Sequence, residues 1–206
     1  MNVRSGAFFE AFCGLMEHAS SRALGVMLSM VEKGGLELKK TRLVSSETLA
    51  QVSDLERASV VVRFRVTGEE LDLGLYCVFS EWAAADLVGR LLAGIRSGVD
   101  LQELETSALA ELANIKGSAF VDAASETLGC CLLPSPPQPM SGVALEAVSA
   151  GIPPKTVVAT SRFESPPAGI EGRYLLCADR DNAFALAARL GVSPEQVTRD
   201  LESLFS

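Results

Sequence analysis

Histidine is all but missing from this 206-residue chain: His18 is the only one. A single imidazole leaves Ser–His–Asp triads and histidine-based metal sites without the groups they need. Set among helix formers, His18 reads as an ordinary helix-face residue. The phosphate-cradling patterns GxxxxGK[ST] and GxGxxG are also absent, which removes the usual nucleotide sites. The five cysteines (Cys13, Cys77, Cys130, Cys131 and Cys177) contain no CxxC pair and are odd in number. They read as free buried thiols rather than a disulfide framework or zinc site. Cys130 and Cys131, adjacent in a presumed strand, point to opposite faces and cannot share a metal. No metal site is expected.

Basic residues are outnumbered, 18 Lys and Arg against 26 Asp and Glu, for a net charge of −8. The second half is the more acidic: residues 101–206 carry 7 basic and 13 acidic groups, residues 1–100 carry 11 and 13. Nucleic-acid binding needs clustered cations for phosphate, so that class is excluded, and anionic membrane surfaces are disfavoured. Partners with basic patches remain. No window holds the roughly 18 apolar residues of a membrane span. The N-terminal run is broken by Glu10 and Glu17 before it reaches signal-peptide length, so a cytoplasmic location is expected. Proline is missing from the first 133 residues; all nine lie at or beyond Pro134.

What is present is a large apolar fraction, 48%, enough for a sizeable core. The patterning predicts a helix over 6–33, strands over 36–44, 58–66 and 71–79, and a helix over 80–94 with Ser80 as its cap. Trp82, near its start, reads as a core anchor. A boundary follows at Gly98 and Asp100. The second half repeats the order. A long helix spans 101–129, ending at Gly129, then a short strand runs into the proline-rich turn PSPPQP. Strands are expected over 143–150, 156–164 and 172–178, and helices over 181–191, capped by Asp181, and 193–205. Residues 74–92 align with 172–190 at an offset of 98, and the first helix aligns with the long one at an offset of 94. The chain therefore reads as one domain of two repeats, about 1–98 and 99–206.

Along the long helix, Ser107, Glu111, Asn114, Ser118 and Ser125 fall in a stripe roughly 60° wide at ~100° per residue. Most other positions are apolar or small, with Glu105, Lys116 and Glu126 as exceptions. Such a helix is largely buried, and its polar stripe marks the exposed seam. Glu111 and Asn114 are three residues apart, so a carboxylate and an amide project from one spot. ExxN alone is a weak signal. The wider spacing is more specific: Ser107, three residues, Glu111, two residues, Asn114, then 22 residues to Pro137.

SALAELANIKGSAFVDAASETLG followed by PSPP resembles the signature of the CheC/CheX/FliY family of chemotaxis phosphatases: Asp or Ser, ExxN, and a distal proline. The resemblance extends over the whole chain through the order of elements. It implies an α+β fold, a CheC-like pseudo-twofold duplication with a mainly antiparallel sheet and two long helices on one face. It also implies hydrolysis of the aspartyl phosphate on a CheY-like response regulator. By that resemblance Asn114 orients the attacking water and Glu111 docks the regulator's lysine. Ser107, Ser118 and Pro137 contribute to the partner-binding surface. The chain needs no cofactor of its own, since the phosphorylated regulator supplies Mg²⁺ and the labile acyl phosphate.

The first repeat departs from the pattern: Cys13, Glu17 and Ser20 occupy the places of Ser107, Glu111 and Asn114, and Leu43 that of the proline. Ser20 has no amide, so the resemblance implies one intact site and one degenerate one. The alternative is a non-catalytic CheC-like adaptor that binds the receptor deamidase CheD or a response regulator.

Overall fold

A computed structural model describes residues 6–28, 35–52, 59–92, 101–143, 145–166 and 169–206. The fold is α+β. The strands are β1 (Glu37–Ser45), β2 (Ser59–Gly68), β3 (Leu71–Ser80), β4 (Leu133–Pro134), β5 (Gln138–Val143), β6 (Val157–Ser165) and β7 (Ile170–Ala178). They form one seven-stranded sheet in the order β1-β6-β7-β3-β2, with β4 and β5 both pairing the outer side of β2. Every ladder is antiparallel. The helices are α1 (Ala7–Leu28), α2 (Glu81–Leu91), α3 (Leu101–Leu128), α4 (Leu145–Ala150), α5 (Arg180–Arg189) and α6 (Pro194–Phe205).

Alternation sets the layers. Along β3, Leu71, Leu73, Leu75, Cys77 and Phe79 face the main core beneath α1 and α3. Tyr76 and Val78 face a smaller cluster with Leu49 and Val148, on the opposite side of the sheet. That second side is covered by a 3-10 turn, Ser46–Val52, and by α4. The main core gathers α1, α2, α3, α5 and α6 on one face, so the two long helices share a side as expected.

The pairing carries an internal symmetry. Ser59 faces Ser80 in β2–β3, and 98 residues later Val157 faces Ala178 in β6–β7. At the centre, Gly74 pairs with Cys177 of β7 while Phe79 pairs with Gly172, the same pair related by that offset. On the flanks Thr41 of β1 faces Ser161 and Gln138 of β5 faces Arg63, which relates β1 to β5 at an offset of 97. Each half therefore lends an outer strand to the hairpin of the other.

Helix ends follow capping chemistry. Ser80 accepts from the Ala83 N–H, and Ser193 and Gln196 form a reciprocal capping box with Pro194 in the first turn. Asp200 of α6 accepts from the Phe8 N–H at 3.0 Å, capping α1 across the chain. Gly129 ends α3 at φ 62°, the left-handed conformation glycine adopts without strain.

Several expectations are corrected. Residues 145–150 form α4, not a strand: LEAVSA is rich in helix formers, and Val148 buries into the smaller cluster. Helix α5 is capped by Asp179, whose carboxylate accepts from both the Asn182 N–H and Nδ2, rather than by Asp181. The segment from 130 pairs at Leu133–Pro134, keeps a backbone bond to β2 through the Ser135 N–H, and resumes pairing at Gln138, because Pro136 and Pro137 between them have no N–H for the ladder. Trp82 is 57% exposed and no core anchor; its ring lies over Gly169. The predicted start of α1 holds, but its extension over 29–33 lies outside the described residues, as does the 98/99 repeat boundary.

Candidate functional site

Helix α3 is embedded along most of its girth. Leu109, Leu112, Ala113, Phe120, Val121 and Ala124 are buried, whereas Ser107, Glu111 and Asn114 are exposed and Ser118 is half-buried. Positions i, i+4, i+7 and i+11 share one face of a helix, so these four side chains form a single outward row. The Glu111 carboxylate and Asn114 amide reach solvent from adjacent turns, available to a partner.

The inward side explains how the row is held. Gly117 rests on the Phe64 ring of β2, where a Cβ would come within 2.8 Å of it. Ser125, about three helical turns beyond Asn114 on the same stripe, is not free for a partner. Its hydroxyl donates to the Val121 carbonyl at 2.8 Å and accepts from the Leu132 N–H at 3.1 Å. It thus ties the chain leaving α3 back onto the helix. Ser135 then locks onto β2, donating its N–H to the Arg65 carbonyl and accepting the Arg65 N–H at its hydroxyl. The strand returns along β2 until Gln138 faces Arg63, next to the Phe64 that supports Gly117. Pro137, half-buried, stands at that return. Ser125→Ala is expected to cost about 1 kcal/mol by leaving the Leu132 N–H unpaired, read as a lower thermal midpoint.

The first-repeat residues do not form a matching row. Glu17 is exposed and Cys13 half-buried, but Ser20 is wholly buried. Burial pushes the Cys13 thiol up to about 11, helped by the nearby Glu17 charge. The two long helices share their buried phase at an offset of 97: Leu109, Leu112, Ala113, Lys116, Phe120 and Val121 match Phe12, Leu15, Met16, Ala19, Ala23 and Leu24. The offset of 94 is thereby corrected, since it sets buried Lys116 against exposed Arg22. A three-residue slip is close to one helical turn, and matching Lys116 to Arg22 by charge favours it. At the corrected offset Glu10, Gly14 and Glu17 stand where Ser107, Glu111 and Asn114 do, and Lys40 where Pro137 does. The outward face of α1 carries no amide.

Among the described residues, no group of three or more His, Cys, Asp or Glu side chains is placed to hold a metal ion. No described helix is long and apolar enough to cross a membrane.

The helix and the return past Pro137 are the part of the chain that matches a family model: residues 104–140 match the CheC-like family. The chain carries a CheC-like segment. Its fold is shared with FliY from Thermotoga maritima, at 17% identity, a TM-score of 0.61, and coverage of 88% of this chain and 93% of that one. It is shared with CheX in the CheX–CheY–BeF3–Mg complex from Borrelia burgdorferi, at 16% identity, a TM-score of 0.56, and coverage of 79% and 97%. FliM in the FliM–SpeE complex from H. pylori matches at 14% identity, a TM-score of 0.62, and coverage of 91% and 96%. No curated protein matches the sequence. In the CheC-like segment, sequence reasoning finds the outward row but misses Ser125 as a tie and Lys116 as a core residue. Alternation of polar letters does not distinguish a serine facing solvent from one bonded to a neighbouring segment.

Proposed function

We propose that this CheC-like chain hydrolyses the aspartyl phosphate of a CheY-like response regulator in chemotaxis signalling, acting in the cytoplasm. The observation that carries the reading is the exposed Glu111–Asn114 pair on a helix whose other side is packed into the core, inside the segment that matches the CheC-like model. The shared fold with a CheX described in complex with CheY supports the choice of partner. The substrate brings its own Mg²⁺ and a labile acyl phosphate, so this chain's contribution is positional. The Asn114 amide accepts a hydrogen bond from the attacking water at Oδ1 and holds it in line with phosphorus. The Glu111 carboxylate pairs with the regulator's lysine and sets the docking register. Ser107, Ser118 and Pro137 border that contact.

The fold is shared with proteins of several names at 17% identity or less, so the fold alone does not select catalysis. A non-catalytic adaptor, binding a regulator or a CheD-like deamidase, is the competing reading, favoured by the lack of a second amide on α1. Charge reversal separates docking from chemistry. Glu111→Lys is expected to raise the KM for phosphorylated regulator by about tenfold or more by placing like charges together, with little change in the thermal midpoint. Steady-state dephosphorylation at varied regulator concentration reads both parameters. A kcat loss at unchanged KM would remove Glu111 from docking.

A further inference from the structure

Lys116 is a lysine in the middle of the main core. It projects from the inward side of α3, two residues beyond Asn114, and its side chain is wholly buried. Nζ lies 4.4 Å from the centre of the Phe79 ring and 5.5 Å from that of Phe163. Among the described residues it has no hydrogen-bond partner.

The surrounding elements bring no counter-charge. From β3 comes Cys77 and from β7 Tyr174, which face each other across the central ladder. Both are acids that burial keeps protonated, Cys77 pushed up to about 12 and Tyr174 shifted upward. From β6 comes Phe163, packed edge-on to Phe79 and 5.1 Å from the Tyr174 ring. On α1, Glu10, Glu17 and Arg22 are exposed, as are Glu111, Asp122 and Glu126 on α3 itself. Aromatic faces attract a cation, but two rings replace only part of its lost hydration.

We propose that the folded core holds Lys116 as a neutral amine, and that proton uptake there loosens α3 from the sheet and so makes presentation of the Glu111–Asn114 row pH-sensitive. The consequence for activity rests on the proposed function; the coupling of α3 to the sheet does not. Burial lowers the Lys116 ammonium to about 7. In the unfolded chain a lysine keeps its proton to about pH 10.4. Between those limits the unfolded state binds more protons, so stability rises with pH. Below about pH 7 both states are protonated and this contribution is flat. Above about pH 8 the raised thiols of Cys13, Cys77 and Cys177 act with the opposite sign.

The window from about pH 7 to about 8 isolates the effect best. Urea unfolding of the full chain should show the folded-to-unfolded ratio climbing roughly threefold to fivefold across it. Lys116→Met and Lys116→Gln should flatten that climb, and Lys116→Met should melt higher than the parent at the lower end of the window. A flat parent curve overturns the proposal, as does a climb that persists in the variants. If neither neutral variant folds, the core requires the cation and the proposal falls. No regulator is needed, so a failed phosphatase reading leaves this result interpretable.

Discussion

Gly172→Ala is expected to lower the thermal midpoint by roughly 10 °C, while Gly74→Ala, its counterpart 98 residues earlier, changes it little. A Cβ at Gly172 would stand 2.4 Å from Phe163 Cζ and 2.6 Å from the Val78 carbonyl oxygen. Neither neighbour can yield. The carbonyl belongs to β3 in the centre of the sheet, and the Phe163 ring is wedged against Phe79 and Tyr174. Overpacking of this kind reaches about 3 kcal/mol, and each kcal/mol moves the midpoint of a chain this size by about 2–4 °C. At Gly74 the nearest atoms are Tyr76 Cε2 at 3.2 Å and Cys177 Cβ at 3.5 Å. The Tyr76 ring can tilt away, and the loss of unfolded-state freedom offsets part of the strain. Paired thermal melts decide it, and equal losses at the two glycines would contradict the packing asymmetry.

Asn114→Ala is expected to reduce the acceleration of regulator dephosphorylation by at least about 10²-fold, the scale lost when a reacting group is misplaced by an ångström. The side chain is exposed, so its removal opens no cavity in the core. Alanine is also the stronger helix former, so the thermal midpoint should hold or rise slightly. Loss of rate with an unchanged melt assigns the effect to the amide. Asn114→Asp keeps the shape but loses the donor, and brings a second carboxylate beside Glu111 against an anionic substrate; it should fail as fully as alanine. A variant as fast as the parent would remove Asn114 from the chemistry.

How much of this is legible in the sequence differs by element. The hairpins are, because the β-branched run over 58–66 and the alternating leucines that open 71–79 flank a turn at Gly68, and the 98-residue offset then carries their register to the second half. The outward row on α3 is, because four polar residues at helical spacing stand out on an apolar cylinder. Residues 143–150 are not: a six-residue helix has too few turns to display its period. Trp82 misleads because large aromatics usually bury, and only the turn carrying Gly169 shows where its ring rests. Lys116 is the costliest misreading. Lysine is so rarely buried that the pattern places it at the surface, and the same assumption sets the helix alignment three residues off. The proline asymmetry is now partly explained. Ser125 and Ser135 hold the proline-rich return against α3 and β2, whereas the corresponding residues before β1 include no proline. Nothing in the structure explains Pro153 and Pro154.

The most direct measurement is the decay of a phosphorylated CheY-like regulator, with Mg²⁺ present, at substoichiometric amounts of the intact chain. Each molecule should then clear many phosphoryl groups, shortening the regulator's lifetime in proportion to the chain added, and Asn114→Ala should return the decay to its spontaneous rate. An unchanged decay in the presence of bound chain would contradict the phosphatase reading and leave the adaptor.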